Sequence, residues 1–324
     1  MRLSITEKEE IIQLVDHSEL GVNKTLQQLG IHKSTFYNWY KAYLTKGTAG
    51  LGTQQKTRQQ WNSIPEAQKQ LVVEVALEHT ALSPRELAVK ITDEQRVFIS
   101  ESSVYRILKA RGLITTPAHI LLSASNEFRD KTAFVHQMWQ TDFTYFKILG
   151  WGWYYLSTIL DDYSRYIIHW ELCKTMKAED VQRSVATAMD KAALGKQQRP
   201  KLLSDNGACY IACELKDYLK RKGIRHVHGK INHPQTQGNI ERYHHSMKNV
   251  VKLDNYYCPD ELNASLKQFV HYYNHYRYHE SLDNVTPANV YWGRREQILK
   301  QREKIKQQTM AKRKTLYLVQ KLKI

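Results

Sequence analysis

The stretch "MWQTDFTYFKI", residues 138–148, alternates aromatic and β-branched residues with polar ones and carries an aspartate, Asp142, inside an otherwise strand-like run. Two further runs of the same character follow, "WYYLSTILDDYS" at 153–164 and "RYIIHWEL" at 165–172, set off by Gly or Asp turns. Runs rich in Val, Ile, Thr and aromatics suit a pleated, half-buried surface, so three consecutive strands are expected. The pattern downstream then changes period. It predicts a helix over 178–194, a short strand "KLLS" ending at Asp205, a helix over 213–222 and a last strand in "GIRHVH". Strands alternating with helices make a mixed five-stranded α/β sheet with helices packed on its faces.

Two more acids stand at the ends of such elements. "SDNG", residues 204–207, follows the apolar "KLL". Asn206 and Gly207 are turn formers that tolerate positive φ, and Asp205 either belongs to that turn or holds something. In "HPQTQGNIERYHHSMKNVV", Pro234 and Gly238 end a loop, after which Ile240, Tyr243, Met247, Val250 and Val251 recur at helical spacing as a buried stripe. Glu241 lies beside the stripe. At about 100° per residue His245 and Lys248 share its flank, so one face presents carboxylate, imidazole and ammonium, unless all three are ordinary solvated groups. The rival acids Asp161 and Asp162 sit in "LDDYSR", where a turn or ion-pair role is expected. A further helix in "PDELNASLKQFVHYYNHYRYHESL" carries Leu262, Leu266, Phe269, Val270 and Tyr273 as a core stripe.

Ahead of these strands the periodicity is helical. Residues 1–47 read as three helices: one capped by Thr6 with Glu9 as its capping-box partner and running to about Ser18, one at 22–29 stopped by Gly30, and one from Ser34 with Phe36, Trp39, Tyr40 and Tyr43 on a single stripe. Three short helices with a glycine turn resemble a helix-turn-helix, whose last helix would offer Ser34, Thr35, Tyr37, Asn38 and Lys41 to DNA. A polar linker, 48–63, leads to a second such unit at 64–114, with helices at 65–79, from Ser83-Pro84 through Ile91, and from Ser102. Its last helix would offer Ser103, Tyr105, Arg106 and Lys109. A second linker, 115–137, precedes the α/β unit at 138–293.

The chain has 324 residues, 42% hydrophobic and 25% charged, a globular composition long enough for two or three cores. Its 48 Lys and Arg against 32 Asp and Glu leave a net charge of +16, and residues 294–324 hold eleven basic and two acidic residues, +9 of that excess. A concentrated basic tail favours a polyanion, because each phosphate neutralised releases counterions. Four cysteines are too few for a disulfide framework. Cys209 and Cys213 with His226 and His228 fit zinc spacing poorly, and two small semi-buried residues on a helix are the simpler reading. No apolar run approaches a membrane span, so a cytoplasmic protein is expected.

The acids Asp142, Asp205 and Glu241 are separated by 205 − 142 = 63 and 241 − 205 = 36 positions, which leaves 35 residues between the last two. In this spacing the sequence resembles the DDE transposases and retroviral integrases. "TDFTYF", "SDNG", "HPQTQGNIER" with a lysine seven residues after the glutamate, and "YNHYRYHESLDNVTPANVYW" are similar to bacterial insertion-sequence transposases of the insertion-sequence-three type, strongly from Trp139 to Tyr291. Tyr278 departs from the proline common at that point in relatives. The resemblance implies an RNase H-like catalytic core behind two helix-turn-helix modules, with Asp142, Asp205 and Glu241 binding two Mg²⁺ ions, replaceable by Mn²⁺. It implies transposition by attack of water and then of a DNA 3′-OH on phosphodiesters, with His245 and Lys248 on phosphate or terminal bases. The implied partners are double-stranded DNA, both element ends and target, and further copies of the chain, at least a dimer, in a bacterial nucleoid. A silent DNA-binding regulator, or a nuclease of the same fold that cuts without joining, are the alternatives.

Overall fold

The computed structural model describes residues 5–18, 20–51, 60–114, 132–195, 198–229, 238–251 and 256–322. The chain divides into two compact units, Met1–Ser63 and Ile64–Ile324.

The first unit contains α1 (Ile5–Asp16), α2 (Val22–Gln28) and α3 (Lys33–Lys46), followed by a 3₁₀ turn at Gly47–Leu51. Ile12, Val15, Leu26, Phe36 and Leu51 form its core, with Trp39, Tyr40 and Tyr43 packed around it. Two expectations are corrected. Helix α1 is already helical at Ile5, so Thr6 lies inside it and is not its cap. The expected linker at 48–63 begins within the module, because Leu51 is buried and its carbonyl accepts from Lys8 Nζ at 3.0 Å. Gly30 does stop α2, at φ +66°.

The second unit starts with α4 (Glu66–Glu78), α5 (Pro84–Gln95) and α6 (Glu101–Ala110), joined through Val72, Leu87, Ile91, Ile99, Val104 and Leu108. Ser83 and Glu86 form the full capping box ahead of α5. That helix runs a turn beyond Ile91 and ends where Arg96 takes the left-handed conformation.

A five-stranded sheet follows: β1 (Met138–Ile148), β2 (Gly152–Asp161), β3 (Ile167–Cys173), β4 (Lys201–Ser204) and β5 (Arg225–His228), in the order β3-β2-β1-β4-β5. The first three strands are antiparallel, while β4 and β5 are parallel to β1, the mixed RNase H-like arrangement. Alternation along β1 sorts its side chains onto two layers. Trp139 and Phe143 meet α7 (Ala178–Lys191), α8 (Ala208–Ile211) and α9 (Cys213–Arg221). Phe146 and Ile148 meet α10 (Gly238–Val251) and α11 (Pro259–His275). The stripe expected on α11 is buried as read. That on α10 is buried except at Val250, which is 55% exposed, because ten residues from Ile240 is about 80° off the stripe while Val251 is only about 20° off.

After α12 (Pro287–Tyr291) the expected basic tail is instead a 28-residue helix, α13 (Arg295–Leu322). It docks back on the second helical module. Arg302 forms a fork with Asp93 at 2.7 and 2.8 Å. Buried Arg313 donates to Gln68 Oε1 at 2.7 Å and to the Phe98 carbonyl at 2.9 Å, and Thr309 Oγ1 accepts from Phe98 N–H at 3.1 Å. Two of the arginines counted toward DNA are therefore bound to protein, whereas Lys300, Lys304, Lys312 and Lys314 remain exposed. Tyr278 lies at this joint, with the Arg302 guanidinium 5.9 Å from its ring centre. No helix among the described residues is long and apolar enough to cross a membrane.

Replacing Arg313 by Ala is expected to cost about 1–3 kcal/mol, the penalty for leaving buried acceptors unpaired. Amide exchange should accelerate around Phe98 and α6 while β1 and β2 keep their protection.

Candidate active site

Chain direction and register bring the first two acids level. Gln140 on β1 pairs with Leu203 on β4 in parallel register. Two residues further on, past the last paired positions, each strand reaches an aspartate: 140 + 2 = 142 and 203 + 2 = 205. Asp142 shares the parity of Phe146 and Ile148, so it lies on the α10 layer. The Asp142 Oδ1 accepts from Phe143 N–H at 2.8 Å, and its Oδ2 stands 3.3 Å from His244 Nδ1 on α10.

Asp205 is set by a local turn. Its Oδ1 accepts the Gly207 N–H at 2.9 Å, and Asn206 Nδ2 donates to the Gly229 carbonyl at 3.1 Å. The turn was expected to use positive φ, but Gly207 has φ −61° and takes an extended conformation. Glycine matters here for another reason: a Cβ at residue 207 would lie 3.0 Å from Asp205 Oδ1, so the carboxylate would have to give way by a few tenths of an ångström. Beyond the turn, His226 Nε2 and Ser204 Oγ are 2.8 Å apart, and burial pulls the His226 imidazole down to about 4, so it is neutral at pH 7.

Glu241 lies in the first turn of α10 and is solvent-exposed. Its carboxyl still titrates above the ordinary range, through partial desolvation and then the negative charge of Asp142, with His244 opposing. On the other side, burial, with the charges of Asp205 and Asp142 adding to it, raises the Cys209 thiol to about 11. Fully buried Tyr210 is likewise raised, by burial and then by Asp142 and Asp205. The fields of the first two acids thus overlap at α8, and those of Asp142 and Glu241 at α10. Among the described residues, no three His, Cys, Asp or Glu side chains are gathered closely enough to enclose a metal ion. Oxygen donors that repel one another along one edge of the sheet are nonetheless the donor chemistry that a hard divalent cation fits.

The helix bearing Glu241 is fastened by a buried polar clamp. Gln140 is fully buried; its Oε1 accepts the Ile240 N–H at 3.0 Å and its Nε2 donates to Asp162 Oδ1 at 2.7 Å. The same Asp162 oxygen accepts from Asn239 Nδ2 at 2.7 Å and from Arg165 at 3.3 Å, while Oδ2 accepts from Thr132. Asp161, fully buried, accepts from Ser164 and from His136 N–H. Both rival acids are structural, as expected of them.

The remaining candidates separate by exposure. On α3, Ser34, Thr35, Tyr37, Asn38 and Lys41 are all exposed on the face opposite the core. On α6, Arg106 and Lys109 are exposed but Ser103 and Tyr105 are half-buried, with Ser103 Oγ bonded to Ser100. His245 is exposed, and Lys248 Nζ stands 5.4 Å from the Tyr145 ring centre. Cys209 and Cys213 lie on different helices, one buried and one exposed. The segment 230–237, with Pro234, lies outside the described residues. Sequence reading missed Gln140, Asn239 and His244. For His244 a signal existed: it is i+3 from Glu241, hence on the same helical face.

Integrase core domain models match residues 134–234 and 222–287, and homeodomain-like domain models match 2–52 and 35–108. In its second half the chain is thus similar to proteins that carry an integrase core domain. It is 22% identical over 290 residues to "Transposase InsF for insertion sequence IS3A" of Escherichia coli K12, covering 83% of this chain and 93% of that one. An "Uncharacterized transposase-like protein" of Haemophilus influenzae is 29% identical over 48% of this chain and 70% of its own length. Among solved structures, a simian T-cell lymphotropic virus intasome is similar at 18% identity and a TM-score of 0.44, over 68% of this chain and 74% of that one. The HTLV-2 integrase catalytic core domain in complex with magnesium is similar at 20% identity and a TM-score of 0.38, over 49% and 97%.

Gly207→Ala is expected to fold normally, to shift the Asp205 carboxylate by a few tenths of an ångström, and to lower strand joining at least tenfold, since small misplacements at a reacting centre are costly. Comparing joining rate with thermal midpoint tests this: a variant as active as the parent would show that the Asp205 position is not critical.

Proposed function

We propose that the chain cuts and joins DNA strands at the edge where Asp142 and Asp205 come level and Glu241 approaches from α10. The parallel β1–β4 register carries this reading. Two carboxylates about 4 Å apart repel by about 4 kcal/mol at an effective dielectric of 20, so a cluster of them is best explained by a cation. Asp142, Asp205 and Glu241 would hold Mg²⁺, with Mn²⁺ as a substitute, as the hard oxygen set requires. When bound, such ions supply Lewis acidity and charge neutralisation at phosphate oxygens.

The chain's own residues do the rest. The Asx-type turn at 205–207 and the His244 contact aim the first two carboxylates, and the clamp at Gln140 fixes the third. In the first step a water oxygen bonds to phosphorus and the P–O3′ bond breaks, leaving a 3′-OH and a 5′-phosphate. In the second, that 3′-oxygen bonds to another phosphorus and displaces its 3′-oxygen, so one phosphodiester is exchanged for another without an external energy source. Lys248 and His245, on the same flank as Glu241, bind backbone phosphate beside the reacting strand. The exposed faces of α3 and α6 hold double-stranded DNA of the element ends, and the reaction uses at least two copies of the chain in the bacterial nucleoid.

Asp205→Asn should abolish both cleavage and joining of labelled element ends in Mg²⁺ while band shifts persist. Joining that survives in this variant would remove the acid from the site, and cleavage without joining by the parent chain would favour the nuclease reading. Because Glu241 keeps its proton to a higher pH than an ordinary carboxyl, protons compete with metal there. Lowering the pH through that range is expected to weaken Mn²⁺ binding, followed by its electron-spin resonance signal, and Glu241→Gln should flatten the dependence.

A further inference from the structure

The ladder stops short of Asp205 on both sides: β1 pairs with β4 only as far as Leu203, and β5 only as far as Ser204. Asp205 therefore stands just past the last residue that the sheet fixes, yet its main chain is held. Its carbonyl accepts from Ser204 Oγ at 3.0 Å and from His228 Nδ1 at 3.3 Å. Ser204 Oγ in turn lies 2.8 Å from His226 Nε2. A hydroxyl has one proton and a carbonyl only accepts, so with the Ser204 proton on the Asp205 carbonyl the His226 ring donates from Nε2. Ser204 is fully buried, His226 is half-buried, and the His226 and His228 rings pack with centroids 4.1 Å apart. Leu202, the ladder partner of His226, belongs with Trp139 to the α7–α9 layer. By alternation Ser204 and its partner His228 lie on that layer too, whereas Asp142 lies on the α10 layer. The group thus works from the side of the sheet away from Asp142, on a backbone oxygen.

We propose that Ser204, His226 and His228 are positioning residues for Asp205, holding the peptide that follows it and, through that peptide, its carboxylate. The inference rests on the reading of Asp205 as a metal-holding acid and extends it to three side chains that bind its main chain. A peptide unit is planar, so a carbonyl held by two donors fixes the direction in which the chain leaves Asp205. Asn206 alone separates that peptide from the Gly207 N–H, which the Asp205 carboxylate accepts at 2.9 Å. Asp205 is exposed, where water could serve its carbonyl equally well. Side-chain donors differ from water in setting its orientation. A brace for β5 alone would be redundant, because that strand is already paired with β4 from Arg225 to His228.

The test uses the full chain, selectively labelled with ¹⁵N-glycine, with the Gly207 amide peak assigned by its loss in Gly207→Ala. Ser204→Ala, His226→Ala and His228→Ala are expected to shift that peak without metal or DNA present. They should also weaken Mn²⁺ binding, read by electron-spin resonance, and slow strand joining, each by about tenfold, the usual loss when a metal ligand's supporting partner is removed. His228 is exposed, so its variant should keep the parental thermal midpoint even if Ser204→Ala does not. His226→Gln, whose amide carries an N–H where Nε2 stood, should recover most of the Mn²⁺ affinity lost in His226→Ala. An unmoved Gly207 peak with parental Mn²⁺ affinity in the alanine variants would overturn the proposal. So would losses in His226→Gln equal to those in His226→Ala, or losses found only in variants with a lowered thermal midpoint, which would make the group a plain stability element. The two readings fail separately. A parent chain that neither binds Mn²⁺ nor joins DNA, but whose Gly207 peak moves in the alanine variants, keeps the positioning of Asp205 and loses the metal-site reading. Parental Mn²⁺ binding and joining in all three alanine variants does the reverse.

Discussion

The buried hydrogen bonds among Gln140, Asp162 and Asn239 hold the functional edge of the molecule together. The acids come from elements far apart in sequence, and apolar packing alone sets a helix on a sheet without fixing how far it slides. An amide whose carbonyl accepts the Ile240 N–H and whose NH₂ donates to Asp162 admits one position only, because in a water-free layer each missed bond costs about 1–3 kcal/mol. The clamp also satisfies one of the free N–H groups at the start of α10, near Glu241.

Much of this was legible in the sequence. Strands β1 to β3 announce themselves through aromatic and β-branched alternation, and Asp142, Asp205 and Glu241 through their spacing and flanking motifs. The stripe on α11 was readable because period 3.6 survives any context. Less visible were features that depend on which element lies opposite. Gln140 looks like one polar residue in a half-exposed strand until α10 is placed over it. Val250 fits a hydrophobic list, and only the angle separating it from Val251 shows that it points outward. The basic run after 294 reads as a tail for a polyanion because its partners, Gln68, Asp93 and Phe98, are more than 200 residues away. Long-range pairing of that kind leaves no local trace.

That helix changes how the positive charge is understood. A net charge of +16 invites the idea of a uniform electrostatic coat, yet Arg302 and Arg313 are used for cohesion and Lys8 for a carbonyl in the first module. The cations left facing solvent include Lys300, Lys304, Lys312 and Lys314 on α13 and Arg106 and Lys109 on α6.

The distance in sequence also imposes an order in time. Phe98 and Arg313 are separated by 215 residues, so on a translating ribosome, at about 5–20 residues per second, the module containing Phe98 emerges on the order of 10 to 40 seconds before the helix that braces it. During that interval it must persist on its own small core of Val72, Leu87, Ile91 and Val104, with the side that α13 later braces still open while the sheet is being made.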